Sequence, residues 1–284
     1  MNESQSVSFW HFATRGPEAV GGRFRGKAEV TEPDAGSDAG GTKTTAVLKG
    51  DGYLINGSKC FITNASVAET FVITVVTDKT KGTKGISSFI LEKGMEGFTI
   101  GKKENKMGLR GSDTATLHFE DLKVPKENLL GKEGEGFKQF MITLDGGRIS
   151  IGAMALGIAQ GALDKALRYA KETIESDKPP IESQAIQFKL ADMATQIEAA
   201  RHLIYHAAFL EDKGMKYIKE SAMAKLFASE TGRFAANQAI QIFGEYGYSR
   251  RFPVERYLRD VKLCEIGEGT SEIQRLVIFR ELMK

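Results

Sequence analysis

One carboxylate near the C-terminus, Glu268, has a sequence environment suited to proton transfer. It lies between Gly267 and Gly269, and glycines let a backbone approach a ligand closely and leave a neighbouring carboxylate unshielded. If an apolar ligand displaced water from this turn, the pKa of Glu268 would rise and the carboxylate could act as a general base. An ordinary loop acid beside a capping threonine is the alternative, and these residues taken alone favour it.

A predicted helix follows this turn and positions the carboxylate. Thr270 and Ser271 offer hydroxyl groups that can cap its N-terminus. The apolar positions of this helix have helical spacing. They are Ile273, Leu276, Val277 and Leu282.

Three other groups of residues could carry chemistry. Asp145 and Arg148 are three residues apart and share a face once helical, with a surface ion pair as the alternative. His202 and His206 have the spacing of a metal pair, but no third ligand accompanies them, so we expect a partly exposed helix face and no metal site. In Thr31–Asp38, backbone N–H groups and the Ser37 hydroxyl follow a turn and could receive an anion; a plain surface turn explains them equally well.

The composition is that of a globular protein with room for two domains. The chain has 284 residues, of which 41% are hydrophobic and 27% charged, and its net charge of +2 gives no case for nucleic-acid binding. Cys60 and Cys264 lie far apart without metal spacing, which predicts free thiols in a reducing, cytoplasmic setting. No uninterrupted apolar run approaches the roughly 20 residues needed to span a membrane, and no signal pattern opens the chain, so no membrane partner is expected.

Residues 30–132 are predicted to form a β domain, a sandwich or a barrel, because many short strands alternate with turn signals. Gly50-Asp51-Gly52 predicts a hairpin turn, and Asn56-Gly57 predicts another turn. Gly131–Gly136 lacks the Lys-Ser/Thr of a phosphate loop and is predicted to connect the β region to the helices. The predicted strands are 44–49, 53–57, 61–63, 70–77, 85–92, 98–100 and 115–120.

Residues 135–284 are predicted to form a helical bundle of the four-helix type, so the fold class is α+β with two domains. A polar, proline-containing break at 173–181 separates the long helices. Residues 1–29 form an atypical arm without a regular period, predicted to be poorly ordered or a short strand and loop. The predicted helices are 137–144, 149–172, 184–213, 216–243, 253–263 and 272–283.

Two separate stretches resemble the signatures of one family, the flavin-dependent acyl-CoA dehydrogenases. Arg256–Arg275 is similar to the C-terminal signature of that family, and Thr31–Asp38 is similar to its first signature. Phe61-Ile62-Thr63-Asn64 resembles its Trp-Ile-Thr-Asn strand. The similarity runs almost without gaps from about Val30 to Lys284 and is closest to the short-chain, butyryl-CoA-type bacterial members.

The resemblance implies an enzyme that removes the α-proton of a short acyl-CoA with Glu268 while the β-hydride passes to FAD. Electrons would leave to an electron-transfer flavoprotein, and the C-terminal helices would form a homo-oligomer, a dimer or tetramer. The residues that match FAD-binding positions are Thr31, Gly36, Ser37, Phe61, Ile62, Thr63, Gln184, Gln241, Gly244, Thr270 and Glu272. The residues that match acyl-CoA positions are Ser37, Asp145, Arg148 and Gly269.

Five departures from the family pattern put FAD binding in doubt. The N-terminal helical domain of the family has no counterpart in this sequence. Thr173–Asp177 stands where the family has Arg-x-x-Phe-Gly, which grips the adenine-diphosphate half of FAD. Glu245 replaces a glycine where the diphosphate approaches, which is a repulsive change. Ala28 replaces an aromatic residue, and Gly267 stands where the family often has a tyrosine of the acyl pocket.

Three functions therefore stand as hypotheses. The first is the dehydrogenase, or the reverse reduction, which Glu268 and Thr63 favour. The second is a truncated, flavin-deficient, non-catalytic paralogue that acts in oligomerisation or as a partner subunit, which the departures favour. The third, a lyase that binds CoA and uses Glu268 without flavin, has no supporting motif.

Overall fold

The computed structural model describes residues 26–173 and 178–284. The predicted arm therefore lies outside the described residues, except for Gly26–Glu29, which forms a strand. The chain divides into two compact units. Unit 1 comprises the described residues up to Lys106 together with Arg110–Leu144, and unit 2 comprises Met107–Leu109 together with Asp145–Lys284.

Unit 1 is a mixed sheet of seven strands, as the predicted β domain requires. The strand order is β1-β4-β2-β3-β7-β6, and β5 pairs with β4. The β1–β4 and β2–β4 pairs are parallel, and the other pairs are antiparallel. The strands are β1 (Gly26–Glu29), β2 (Thr45–Lys49), β3 (Gly52–Thr63), β4 (Thr70–Val76), β5 (Ile86–Glu92), β6 (Phe98–Lys103) and β7 (Thr114–Pro125).

The hairpin predicted at Gly50-Asp51-Gly52 joins β2 to β3, with Gly50 at a φ of 64°. The turn predicted at Asn56-Gly57 is wrong, because β3 continues through it. The pairing of β3 with β7 shifts register between Ile55 and Gly57, so this pair forms a bulge. Gly57 has a φ of 143°, and a Cβ there would lie 2.6 Å from Thr44 Oγ1. Only glycine fits this approach without strain.

A buried ion pair lies beneath the first signature stretch. Lys59 is 0% exposed, and its Nζ donates to Glu32 Oε1 at 2.8 Å and to the Val30 carbonyl at 3.1 Å. Glu32 also accepts from the Thr42 hydroxyl and from the Lys43 backbone N–H. Burial opposes the ionisation of Glu32, but attraction to Lys59 and these hydrogen bonds outweigh it and lower the pKa to about 2. The pair therefore anchors the start of the signature loop to β3.

The described residues contain five α-helices; α1 begins in unit 1 and continues into unit 2, and the other four lie in unit 2. Helix α1 ends and α2 begins on either side of the predicted break at 173–181, of which 174–177 lie outside the described residues. The core is rich in alanine, which allows the helices to pack closely. The helices are α1 (Gly136–Glu172), α2 (Gln184–Asp212), α3 (Ile218–Phe243), α4 (Val254–Ile266) and α5 (Ser271–Leu282).

Helix α1 differs from the prediction because it is continuous where the pattern predicts two helices. Gly146 and Gly147 lie inside it, although each glycine costs a helix about 1 kcal/mol relative to alanine. Within the described part of the chain, α1 is the one helix long and apolar enough to cross a membrane by length and composition. It packs Ala155, Ala159 and Ala162 into the bundle core.

The helix predicted after the Glu268 turn is confirmed as α5, but its apolar positions are not buried within the described chain. Ile273 and Val277 are only partly buried, and Leu276 and Leu282 are more than half exposed. The side chains of α5 that are buried within the chain are the polar Ser271 and Gln274. Helical spacing identified an apolar stripe, but periodicity alone does not say what covers such a stripe.

We expect the Glu32–Lys59 pair to make folding stability depend on acid pH. The pKa of Glu32 is lower in the folded protein than its ordinary 4.5, so its contribution is complete above that value and is lost as the pH falls towards 2. Glu32→Gln should lower the free energy of unfolding by about 3 kcal/mol at pH 7, because it leaves a buried charge unpaired. The difference from wild type should narrow between pH 5 and pH 3 in urea unfolding followed by circular dichroism.

Asp34→Asn is the matched control, because Asp34 pairs with Lys43 at 2.8 Å on an exposed surface. This variant should stay within about 0.5 kcal/mol of wild type across the same pH range. A Glu32→Gln deficit that is independent of pH would contradict the assigned titration.

Candidate active site

Glu268 lies in a strained turn between α4 and α5. Its φ is 55°, a left-handed conformation that is uncommon for residues other than glycine, and Gly269 follows at 87°. Gly267, by contrast, has a φ of −69° and a ψ of 156°, which any residue adopts. The strain therefore falls on Glu268 itself, and the flexibility expected of Gly267 is not what shapes the turn.

Two buried donors hold the carbonyl groups of this turn. Gln274, in the first turns of α5, donates through Nε2 to the Glu268 carbonyl at 3.0 Å and to the Gly269 carbonyl at 2.9 Å. Lys225, on α3, donates through Nζ to the same Gly269 carbonyl at 2.6 Å. Both side chains are 0% exposed. Water does not compete with these bonds, which keeps the turn in one conformation.

The helices on each side of the turn are fixed as well. At the end of α4, Glu265 is buried and accepts from Arg233 Nε on α3 at 2.7 Å. Burial raises the pKa of Glu265, but hydrogen bonds from Lys262 and Arg233 outweigh it and lower the pKa overall. At the start of α5, the Thr270 hydroxyl accepts from the Ile273 N–H at 3.3 Å, which confirms the predicted N-cap.

The carboxylate of Glu268 lies against α1 where that helix has a glycine. A Cβ added to Gly147 would lie 2.7 Å from Glu268 Oε2. At the neighbouring Gly146, an added Cβ would lie 2.9 Å from Glu211 Oε1. Two adjacent helix glycines thus each make room for a carboxylate, which explains why α1 contains residues that weaken a helix.

Asp145 and Arg148 form the predicted pair on one face of α1, with Arg148 Nη1 2.6 Å from Asp145 Oδ1. The surface alternative is wrong, because the Arg148 side chain is 6% exposed and that of Asp145 is 17% exposed. Burial raises the pKa of Asp145, although Arg148 opposes this shift. Among the described residues, the buried Arg148 Nε has no hydrogen-bond partner.

Burial shifts the pKa values of two titratable side chains near the turn. Burial lowers the pKa of Lys225 to about 8, Cys264 and Glu268 act to raise it, and Arg148 lowers it further. Burial raises the pKa of the Cys264 thiol to about 11. Near neutral pH, Lys225 is therefore still mainly protonated beside the carboxylate of Glu268 and the neutral thiol of Cys264.

Unit 1 contains a separate group of predicted residues. Gly36 and Ser37 are exposed at the tip of the signature loop, and the Thr31 carbonyl accepts from the Cys60 N–H at 2.9 Å. This bond holds the loop beside the last residues of β3. There Phe61 is 64% exposed at a φ of 58°, although the next residue, Ile62, is buried and Thr63 is partly buried.

A third group lies at one end of α2 and α3. Gln184 begins α2, Gln241 is in the last turn of α3, and both are exposed. Lys189 Nζ donates to Gln238 Oε1 at 2.8 Å, which places these ends together. At 1.5 Å of rise per residue, Gln241 lies about 24 Å along α3 from Lys225. Unit 2 does not bring this group to the Glu268 turn.

Two family models cover most of the chain. "Acyl-CoA dehydrogenase, middle domain" matches residues 28–122. "Acyl-CoA dehydrogenase, C-terminal domain" matches residues 134–283. The chain belongs to the acyl-CoA dehydrogenase family. The resemblance and the fold class inferred from the sequence are thus confirmed.

Relatives of the chain include proteins named for short-chain acyl-CoA substrates. The "acyl-CoA dehydrogenase, short-chain specific" of Clostridium acetobutylicum is 53% identical over 90% of this chain and 67% of its own length. The "acryloyl-CoA reductase (NADH)" of Anaerotignum propionicum is 53% identical over 94% of this chain and 68% of its own length. The butyryl-CoA dehydrogenase structure from Megasphaera elsdenii aligns with a TM-score of 0.91 and 49% identity, covering 93% of this chain and 69% of that one.

Members of the acyl-CoA dehydrogenase family are FAD flavoproteins, and unit 1 fits the flavin ring. The exposed aromatic side chain of Phe61 costs free energy in water, and a flat ring packed on this face would cover it. The left-handed backbone of Phe61 lies where the pairing of β3 with β7 shifts register between Lys59 and Ile62. Gly36 has no atom within 4 Å of an added Cβ, so its backbone is open to a ligand. Glu245 opposes binding of the diphosphate of FAD, because both groups are negatively charged. Its carboxylate is exposed at the end of α3, beside Gly244, which has no atom within 4 Å of an added Cβ.

The sequence analysis did not identify Lys225, Gln274 or Gly147 as residues that hold the Glu268 turn or its carboxylate in place. Lys225 lies three residues from Ala222 and three from Ala228, both of which are buried. This helical spacing is a signal in the sequence that position 225 faces the core. Gln274 follows the predicted cap, and nothing in its sequence context marks it as a donor to the preceding turn. The role of Gly147 depends on a contact between distant segments, which only the folded chain shows.

We expect Gly147→Ala to displace the carboxylate of Glu268. The new methyl group would meet the end of a flexible side chain, so the carboxylate moves and the helix does not. Folding stability should then rise by about 0.5–1 kcal/mol, because alanine is the better helix former. Turnover of butyryl-CoA should fall about 100-fold, the cost of a misplacement of about 1 Å. Steady-state kinetics and urea unfolding measure the two effects.

Gly157→Ala is the matched control on the same helix, since nothing lies within 4 Å of its added Cβ. It should give the same gain in stability with unchanged turnover. Equal turnover in both variants would show that Gly147 does not determine where the carboxylate lies.

Proposed function

We propose that this chain is an FAD-dependent acyl-CoA dehydrogenase that introduces an α,β double bond into short-chain acyl-CoA thioesters. Electrons pass onward to an electron-transfer flavoprotein. The general base is Glu268, and the observation that carries the proposal is its placement. It lies on a turn held by Lys225 and Gln274, with its carboxylate against the glycine face of α1.

The role of Glu268 follows from its charge and its surroundings. An ionised carboxylate accepts the α-proton, which a thioester carbonyl acidifies when its oxygen receives hydrogen bonds. The backbone N–H of Glu268 is one such donor. Binding of an acyl chain displaces water from the turn, which strengthens the base by desolvation. Asp145 and Arg148, already ordered as a pair, orient the CoA portion of the substrate.

FAD, when bound, supplies the hydride acceptor that the side chains of the protein lack. By resemblance to the family, Thr31, Gly36 and Ser37 of the loop and Phe61 to Thr63 of β3 would hold the flavin ring. Gln184, Gln241, Gly244, Thr270 and Glu272 match family positions that would contact the rest of the cofactor. The exposed Phe61 ring and the open Gly36 support this assignment.

The substrate class and the electron acceptor rest on the relatives. Proteins about 50% identical to this chain are named for short-chain acyl-CoA substrates, including those of Clostridium acetobutylicum and Megasphaera elsdenii. A structure described by the words "electron transferring flavoprotein of Acidaminococcus fermentans" contains a chain that aligns with a TM-score of 0.92 and 55% identity. The exposed Leu276, Phe279 and Leu282 on α5 support assembly into a homo-oligomer through the C-terminal helices, with the homotetramer as our expectation.

We expect the purified protein to retain FAD after desalting and butyryl-CoA to bleach its visible absorbance. Glu268→Gln removes the base but keeps the shape of the side chain. It should bind FAD as wild type does and lose at least about 1,000-fold in the rate of bleaching, because it cannot accept the α-proton. Stopped-flow absorbance measures the rate.

Glu172→Gln, an exposed carboxylate at the end of α1, is the control and should bleach at the wild-type rate. Bleaching of Glu268→Gln at the control rate would assign the base elsewhere. A wild-type protein that retains no flavin would remove catalysis by this chain alone.

A non-catalytic, flavin-deficient partner subunit is the second candidate. The observation that favours it is Glu245, an exposed carboxylate at the end of α3 where the diphosphate of FAD is expected. The exposed apolar residues of α5 would then serve association with a full-length subunit. In this case FAD is not retained and a second chain co-purifies with the protein.

We expect Glu245→Gln to strengthen FAD binding. Removal of one negative charge near a diphosphate should lower the Kd by about tenfold at low salt, with a smaller effect at 0.5 M salt, because salt screens exposed charges. Fluorescence titration of the flavin-free protein measures the Kd. Asp212→Asn, which removes an exposed charge at the far end of α2, should leave the Kd unchanged. Equal Kd values for wild type and Glu245→Gln would show that Glu245 does not face the cofactor.

A further inference from the structure

Lys225 is a charged side chain buried in the interior of unit 2. It lies on α3 among the buried Ala222, Ala224 and Ala228, where an uncharged residue would pack without a desolvation cost. Its one hydrogen bond recorded in the described residues goes to the Gly269 carbonyl, at 2.6 Å. Because this buried cation donates its hydrogen bond to a backbone carbonyl of the Glu268 turn, Lys225 is placed to stabilise the turn.

The turn requires such support because its backbone is strained. Glu268 is left-handed at a φ of 55°, and a non-glycine residue keeps this conformation only when its surroundings impose it. The Gly269 carbonyl accepts from both Lys225 and Gln274. Gln274 is neutral and reaches the turn from the helix that follows it in the chain. Lys225 is charged and fastens the turn to a different helix, α3.

We propose that Lys225 is a positioning residue for Glu268: its protonated amine fastens the Glu268–Gly269 turn to α3 and holds a positive charge beside the carboxylate. The inference rests on the proposed function only for its kinetic consequence. The fastening of the turn is a property of the folded chain, with or without flavin.

The charge on Lys225 has a pH dependence that distinguishes it from a structural contact. Burial lowers the pKa of Lys225 to about 8, so the ammonium is present below this pH and is lost above it. The charged and titratable groups that act on it are Arg148 from α1, Cys264 and Glu265 from α4, and Glu268 from the turn. The pKa of Cys264 is raised to about 11, well above that of Lys225. As the pH rises, Lys225 therefore loses its proton before the Cys264 thiol does, which removes the positive charge and weakens the bond to the Gly269 carbonyl.

The first test uses the flavin-free protein. Lys225→Met keeps the length of the side chain and removes the donor and the charge. Hydrogen exchange at pH 7, read by mass spectrometry in peptides that span Glu268 to Gln274, should be at least about tenfold faster in this variant than in wild type. Lys219→Met, which alters an exposed lysine of the same helix, is the control and should exchange as wild type does. Unchanged exchange in Lys225→Met would overturn the proposal.

A second measurement needs no variant. In wild-type protein, the amide resonances of Glu268 and Gly269 should shift together with a midpoint near pH 8, as Lys225 loses its proton. The same midpoint should persist in Cys264→Ala, which excludes the thiol as its source. Amide shifts without an inflection between pH 7 and pH 9 would also overturn the proposal, even if Lys225→Met fails to fold.

The kinetic test applies to the flavin-loaded protein. Wild-type kcat for butyryl-CoA should fall on the alkaline side with a midpoint near pH 8. Lys225→Met should lower kcat about 100-fold, change KM less than about threefold and lack this alkaline limb. Lys225→Arg, which stays protonated, should restore kcat and keep it above pH 9.

The outcomes separate the two proposals. If wild-type protein has no turnover with butyryl-CoA, the proposed function fails, and the exchange and amide titration still decide the role of Lys225. If turnover is present and Lys225→Met keeps both the wild-type kcat and the alkaline limb, Lys225 does not position the base.

Discussion

The turn that carries the catalytic candidate Glu268 is joined to α3 by the bond from Lys225 Nζ to the Gly269 carbonyl at 2.6 Å. This bond holds a turn with a left-handed residue against the bundle, and Gln274 on α5 donates to the same carbonyl. A buried hydrogen bond from a cation is stronger than a neutral one, since little water competes for it. The position of Glu268 therefore follows from the interior of the bundle, and the flexibility of the flanking glycines plays a smaller part.

The bundle and the proposed cofactor contacts rest on different residues. The core of unit 2 consists of alanine and larger apolar residues on four long helices, and none of the residues matched to FAD belongs to it. Glu245 lies exposed at the end of α3 and carries no part of the core. A change there alters the local charge without disturbing packing. Retention of the fold is thus compatible with either a catalytic or a flavin-deficient chain, which is why flavin binding distinguishes the two proposals.

Much of the architecture follows from local pattern. The hairpin at Gly50–Gly52, the α5 cap at Thr270 and the boundaries of α2 and α3 agree with the sequence to within a few residues, because turn and cap residues act on their neighbours. The errors have a common cause. Asn56-Gly57 and Gly146-Gly147 carry local breaking signals, but both lie inside regular elements, where another segment approaches too closely for a side chain.

The sequence by itself determined the family, the two-part architecture, and Glu268 as the candidate base, because these depend on residue types at fixed spacing along the chain. Tertiary structure alone decided that Asp145 and Arg148 are buried, that Gly147 makes room for the Glu268 carboxylate, and that Lys225 reaches the turn from α3. Each of these depends on how segments distant in the chain pack together. Spacing in a sequence carries information about neighbours on one helix or strand, whereas burial and long-range hydrogen bonds depend on how the helices pack.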